Sequence, residues 1–244
     1  MPYVINKGTH IHYEVAGEGE PLVMQHGFFS SVEDWHAYGP VDVLREVCQL
    51  VMIDGRGHGK SDKPYAPEAY GLDDRVGDIT AVMDNLGLDK AHYMGYSMGG
   101  WIGFGMAKYA PARVEKLIIG GAQPYGRNFT GAREVLRSGM DAWIEEIQNW
   151  GPYTIDDLER YRKNDANALL AALGDRVDMS EVLDGMKMPC LFYAGEDDSE
   201  HDLIKGLEKE VEDGRFISFP GFNHIDAFVH GEVVVPRIID FLFS

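Results

Sequence analysis

Short apolar runs that end in glycine alternate with helical segments along this chain, and this rhythm restricts its fold more than any other feature. The runs include PLVMQHG, CQLVMIDG, AHYMG and CLFYAG. Such runs are typical of strands covered on both faces, as in parallel sheets. Residues 3–16 instead alternate polar and apolar side chains around Asn6-Lys7-Gly8, which predicts an antiparallel hairpin. We therefore predict an α/β fold: a mostly parallel eight-stranded sheet with an antiparallel N-terminal hairpin and helices on both faces.

One interval breaks this rhythm. Residues 125–187 contain charged helical pieces such as EVLRSGMDAWIEEI and IDDLERYRK, with no strand signal between them. We predict that this segment forms a small helical cap inserted between two strands. The core is then made of residues 1–124 and 188–244, and the 244 residues form one structural unit.

The excess of acidic over basic residues restricts the kinds of molecule that this protein is expected to bind. Forty acidic residues against 22 basic ones give a formal net charge of −18. A field of this sign repels nucleic acid and anionic membranes, and it favours a small neutral substrate over a polyanion. No apolar run approaches the ~18 residues of a membrane span, and the first residues do not resemble a secretory leader. We expect a cytoplasmic protein; a homodimer through cap or terminal helices is compatible with the sequence.

The segment Gly95-Tyr96-Ser97-Met98-Gly99 fits the pattern G-x-S-x-G. The pattern alone is weak, but here a strand precedes it and a helix follows it, which is the context that a nucleophilic serine requires. The sharp turn lifts the Ser97 hydroxyl to a helix N-terminus, where partial positive charge favours a developing oxyanion. Ser97 is therefore the candidate nucleophile.

A nucleophilic serine needs a base and an acid that orients it. His224 follows the last predicted strand, at the sheet edge where open α/β folds bind ligands. The acid should follow a strand between Ser97 and His224 in the sequence. Asp197 and Asp198 both meet this condition, with Glu196 a weaker third candidate.

The oxyanion of such a reaction needs two backbone donors. Gln25-His26-Gly27-Phe28 ends a strand, so the N–H of Phe28 can meet the N–H of Met98. His26 is expected to stabilise this loop.

These motifs carry a family resemblance. HGFFSS, DGRGHGKSD, GYSMGG, GEDD and GFNH resemble the α/β-hydrolase superfamily, in its serine branch of small bacterial carboxylesterases, enol-lactonases and cofactor-free haloperoxidase-like enzymes. The resemblance covers nearly the whole chain and implies a Ser-Asp-His triad. The family places its acid fourth in Gly-x-x-Asp, which selects Asp198 here, and its second oxyanion donor after His-Gly, which selects Phe28.

The predicted activity is hydrolysis of a carboxylic ester or lactone through an acyl-enzyme on Ser97, with no metal and no organic cofactor. The pocket should be apolar. Its candidate substrate-binding residues are Phe29, Trp35, Tyr96, Trp143 and Trp150.

Three other functions stay open. The same triad serves carbon–carbon bond hydrolases, whose substrate carboxylate needs a basic partner; Arg127 is a candidate, although a surface position is favoured for it. Perhydrolysis, in which hydrogen peroxide replaces water, uses the same residues. A ligand receptor with an idle triad would bind its ligand without turnover.

Overall fold

An eight-stranded sheet forms the centre of the structure, a computed structural model that describes residues 2–244. The strands are β1 (Tyr3–Asn6), β2 (Thr9–Ala16), β3 (Glu20–Gln25), β4 (Cys48–Ile53), β5 (Ala91–Tyr96), β6 (Val114–Gly120), β7 (Cys190–Gly195) and β8 (Gly214–Phe219). They lie in the order β1-β2-β4-β3-β5-β6-β7-β8. β1 and β2 form the predicted antiparallel hairpin, β2 pairs antiparallel with β4, and the remaining pairs are parallel. The predicted fold class is confirmed.

Helices cover both faces of this sheet. Those of the core are α1 (Val32–Ala37), α2 (Pro40–Leu44), α3 (Leu72–Asn85), α4 (Met98–Tyr109), α9 (His201–Gly206), α10 (Asp226–Val229) and α11 (Gly231–Leu242). Side chains of α3, α4 and α9 pack on one face, and side chains of α1, α2 and α11 pack on the other. Within residues 2–244, no helix is both long enough and apolar enough to cross a membrane.

The alternation of side chains along each strand explains the two layers. In β3, Val23 belongs to the cluster under α3 and α4, whereas Leu22 and Met24 belong to the cluster under α1 and α11. Both faces are therefore apolar, as the uninterrupted runs predict. Cys48 and Cys190 are buried free thiols within these layers.

A third apolar cluster lies in the segment between β6 and β7. Its helices are α5 (Thr130–Arg137), α6 (Met140–Ile147), α7 (Ile155–Arg162) and α8 (Ala166–Ala172). Trp143, Ile147 and Tyr161 form its centre, together with Phe29 from the loop after β3. The cap therefore packs on the core through a side chain of the loop that follows β3.

A buried ion pair also joins this cap to the core. Nε of Arg160 in α7 lies 2.7 Å from Oδ1 of Asp34 in α1, and the same guanidinium contacts Asp157 at 2.5 Å. Asp34 is buried, and burial raises the pKa of its carboxyl group. Beside the pair, the hydroxyl groups of Tyr38 and Tyr161 lie 2.8 Å apart. Arg160 therefore supplies the counter-charge that Asp34 needs.

We predict that Arg160→Met lowers the free energy of unfolding by about 3 kcal/mol, because it leaves the Asp34 carboxylate buried without a cation. Urea unfolding monitored by circular dichroism measures this change. Arg162→Met is the matched control, since Arg162 pairs with Asp141 at the surface, where an ion pair contributes little. Equal stability of the two variants would contradict the role given to the buried pair.

Candidate active site

Ser97 occupies a strained turn between β5 and α4. Its backbone has φ 52° and ψ −105°, a conformation that non-glycine residues rarely adopt. The flanking glycines allow the turn to close: a Cβ on Gly95 would collide with the carbonyl of Gly99, and a Cβ on Gly99 with the carbonyl of Gln25. The N–H of Ser97 donates to the carbonyl of Gly120 at 2.8 Å. The turn is therefore fixed between β3, α4 and β6.

The structure brings His224 and Asp198 together at the same sheet edge. Nδ1 of His224 lies 2.7 Å from Oδ2 of Asp198, and the other carboxylate oxygen accepts the N–H of Glu200 at 2.9 Å. Burial by itself would raise the pKa of Asp198, but the hydrogen bond and the charge of His224 outweigh it, and the net shift is downward. Asp198 is 6% exposed, whereas Asp197 and Glu196 are exposed to solvent. Of the three candidate acids, Asp198 is the one paired with His224.

Ser97 and His224 face one cavity. Both line it. The His224 ring lies against the backbone that follows β6, since a Cβ on Gly121 would be 2.9 Å from its Cε1. Tyr96 helps to position His224. The Tyr96 hydroxyl donates to the backbone carbonyl of His224, and the centroids of the two rings lie 5.3 Å apart. Within residues 2–244, the Ser97 hydroxyl makes no hydrogen bond, so its oxygen is free toward the cavity.

Two backbone donors lie beside Ser97. The loop after β3 passes close to it, since a Cβ on Gly27 would be 3.6 Å from Cβ of Ser97. Phe28 follows Gly27 in this loop, and Met98 is the first residue of α4. In the described part of the chain, neither of these N–H groups has a protein acceptor. Their placement fits the predicted oxyanion site.

His26 holds this loop in place. Its Nε2 accepts the N–H of Gly55 at 3.0 Å, so the ring proton resides on Nδ1, which donates to the carbonyl of Gly27 at 2.7 Å. Burial lowers the pKa of His26, which keeps the ring neutral. This geometry fits the structural role expected for it.

The cavity measures about 650 Å³ and lies between the sheet edge and the cap. Four of the predicted substrate-binding residues line it: Phe29, Tyr96, Trp143 and Trp150. The rings of Trp143 and Phe29 meet edge to face with centroids 5.5 Å apart. Aromatic edges and faces therefore form much of the wall, as expected for an apolar pocket.

The prediction that Trp35 binds substrate in the pocket is wrong. Its side chain is 2% exposed and packs in the layer under α1 and α11, with its ring 5.2 Å from that of Phe228. Since α1 turns its apolar side toward the sheet, Trp35 is a core residue and does not line the cavity.

Other lining residues had no distinctive sequence signal. Tyr153 and Tyr161 of the cap, and Phe228 beyond His224, extend the aromatic wall. Arg127 and Arg176 also line this cavity. None of them belongs to a motif, and Arg176 lies in an irregular segment without helical periodicity.

Potential metal ligands do not cluster here. Across the described residues, no three His, Cys, Asp or Glu side chains come together in a group that could hold a metal ion.

A serine on a strained strand-to-helix turn, with a histidine–aspartate pair at the same sheet edge, defines the class of α/β hydrolases. The family model described as "alpha/beta hydrolase fold" matches residues 20–180. The chain belongs to this family.

Individual proteins are similar over their whole length. A non-heme haloperoxidase of Rhodococcus erythropolis and a bifunctional esterase/perhydrolase of Acinetobacter calcoaceticus are each 24% identical, with 100% of both chains covered. The enol-lactonase from Burkholderia xenovorans has the same fold, with a TM-score of 0.89, 22% identity and 100% of both chains covered. For several other curated relatives, the chain spans only between 32% and 55% of their length. The family resemblance read from the sequence is confirmed.

We predict that Asp198→Asn reduces turnover by about 10⁴-fold, because an amide in place of the carboxylate favours the wrong histidine tautomer. Asp197→Asn is the matched control, since this neighbouring carboxylate is exposed and should change turnover little. Steady-state hydrolysis of an activated ester by both variants checks this. A severe loss in Asp197→Asn together with a mild one in Asp198→Asn would reverse the assignment.

Proposed function

We propose that this protein is a serine hydrolase that cleaves a carboxylic ester or lactone through an acyl-enzyme on Ser97. One observation carries the proposal. Ser97, on its strained turn, faces the same cavity as His224. Nδ1 of His224 lies 2.7 Å from the buried carboxylate of Asp198. These are the three groups that together activate a serine hydroxyl for attack on a carbonyl carbon.

In the first half-reaction, Oγ of Ser97 attacks the carbonyl carbon while Nε2 of His224 accepts the hydroxyl proton. Asp198 accepts the hydrogen bond of Nδ1–H, which holds the tautomer and stabilises the imidazolium. The N–H groups of Phe28 and Met98 bind the oxyanion of the tetrahedral intermediate; each such donor contributes about 10²- to 10³-fold to turnover. Collapse of the intermediate breaks the ester C–O bond, and His224 protonates the leaving alkoxide.

The second half-reaction repeats these steps with water. His224 accepts a proton from water as the water oxygen attacks the acyl carbon, and the same two N–H groups bind the new oxyanion. The proton then returns from His224 to Oγ of Ser97, and the carboxylic acid leaves. Every step uses groups of this chain, the substrate and water.

The cavity supports a small to medium substrate. Its volume of about 650 Å³ and its aromatic wall suit an acyl or lactone group with apolar surface. The names of two similar proteins, an enol-lactonase and an esterase/perhydrolase, agree with ester and lactone chemistry.

Perhydrolysis is the second candidate activity. It is favoured by the full-length similarity to a non-heme haloperoxidase and to an esterase/perhydrolase. Hydrogen peroxide would replace water as the attacking group on the acyl-enzyme and would release a peracid. Assay of peracid formation with and without hydrogen peroxide separates the two activities.

We predict that Ser97→Ala lowers ester turnover by about 10⁴- to 10⁶-fold while the fold is retained, because the variant cannot form the acyl-enzyme. The measurement is hydrolysis of 4-nitrophenyl esters of graded chain length, run beside simple lactones. Circular dichroism of the variant controls for folding. Turnover by Ser97→Ala at the wild-type rate would contradict the proposal.

A further inference from the structure

Two arginines lie side by side at the base of the cap. Arg127 and Arg176 form an antiparallel bridge in which each N–H donates to the carbonyl of the other residue, both at 2.9 Å. In such a pair the two side chains leave the same face, and like charges opposite each other are destabilising. The fold therefore places two positive charges together at one wall of the cavity.

Only one of these charges is paired. Nη1 of Arg127 lies 3.1 Å from Oε2 of Glu200, whose other oxygen accepts the amide of Gln123. Within residues 2–244, Arg176 pairs with no carboxylate and its guanidinium donates no hydrogen bond to the protein. Arg75, buried behind it, also lacks a carboxylate partner among the described residues.

Two aromatic rings flank the Arg176 guanidinium. It lies over the rings of Trp101 and Phe129, at 4.9 and 5.1 Å from their centroids. A contact between a guanidinium and aromatic rings does not use its N–H donors, which can still bind a carboxylate. Burial, together with the charges of Arg127 and Arg75, lowers the pKa of Arg176 to about 9, so the group stays charged near neutral pH.

A purely structural role does not account for these observations. Stacking on two rings would be served by an apolar side chain, without the cost of placing a second cation beside Arg127. Arg176 lines the cavity that Ser97 and His224 face, and it also lines a neighbouring cavity with Trp101 and Arg75. A guanidinium whose N–H groups have no protein acceptor is suited to bidentate binding of a carboxylate.

We propose that the substrate of this site carries a carboxylate, remote from the scissile carbonyl, that Arg176 binds. The inference rests on the proposed hydrolase function and specifies its substrate class: half-esters of dicarboxylic acids, or lactones that bear a carboxylate. It departs from the neutral substrate that the net charge favours. The charge of −18 describes the whole chain, whereas two arginines, Arg127 and Arg176, line this cavity on its cap side.

Binding to Ser97→Ala tests the inference without turnover. The probes are mono-4-nitrophenyl esters of straight-chain dicarboxylic acids and the matched monocarboxylic esters, which differ only in the terminal carboxylate. We predict that, at one chain length or more, the carboxylate ester binds at least ~10-fold more tightly in calorimetric titration, the contribution typical of a charge-assisted hydrogen bond. Adding Arg176→Met should abolish this preference, while Arg176→Lys should retain part of it.

Arg162→Met, which removes an exposed cap arginine, is the matched control and should keep the preference. Equal binding of the two ester series, or a preference that survives Arg176→Met, would overturn the inference. Turnover of both series by the wild-type protein tests the proposed function separately. Hydrolysis of both ester series without tighter binding of the carboxylate esters would support the hydrolase function and reject the carboxylate site. Tighter binding of the carboxylate esters without hydrolysis of either series would support the carboxylate site and reject the hydrolase function.

Discussion

The backbone turn at Ser97 is the constraint on which the site depends. A non-glycine residue in this conformation costs of the order of 1–3 kcal/mol, so the surrounding contacts must hold it. The Ser97 N–H binds the carbonyl of Gly120, and the Ser97 carbonyl accepts the N–H of Trp101 at 2.9 Å. Because Gly99 has no side chain, the backbone of α4 can pack directly against the carbonyl of Gln25 at the end of β3. Because β3 leads into the loop of Phe28, the same contact positions the proposed nucleophile and both proposed oxyanion donors.

The electrostatics of the site follow from where each charge is buried. Asp198 is buried within the loop after β7, where His224 and the Glu200 N–H compensate its charge. Asp34 is compensated in the same manner by Arg160 of the cap. Each of these two buried carboxylates thus contacts a side chain from a distant segment, His224 for Asp198 and Arg160 of the cap for Asp34. Arg176 differs from them because its compensating partner is absent from the described residues, and this difference is what points to a charged ligand.

Much of the fold could be predicted from the sequence, because local patterns of apolar and polar residues determine its strands and helices. Apolar runs at the spacing of strands give the parallel sheet, and the alternation around Asn6-Lys7-Gly8 gives the hairpin. Ser97 and His224 could be found because each follows a strand at the ligand-binding edge. The choice of Asp198 over Asp197 required the family resemblance, since both follow β7 and only their burial separates them.

The rest depends on contacts between distant segments. Trp35 resembles a pocket aromatic in sequence, but its direction is set by how α1 rotates against Phe228 and α11. The pairing of Arg176 with Arg127 brings together the two ends of the cap, and no local periodicity encodes it. The shape of the cavity and its charged wall are therefore properties of tertiary packing.

Reaction of the wild-type protein with a fluorophosphonate, followed by protease digestion and mass spectrometry, shows whether Ser97 is the nucleophile. If it is, a single adduct forms on the peptide that contains Ser97, and labelling is strongly slowed in His224→Ala because the hydroxyl loses its base. An adduct on another residue, or no adduct in the folded protein, would contradict the assignment of Ser97 as nucleophile.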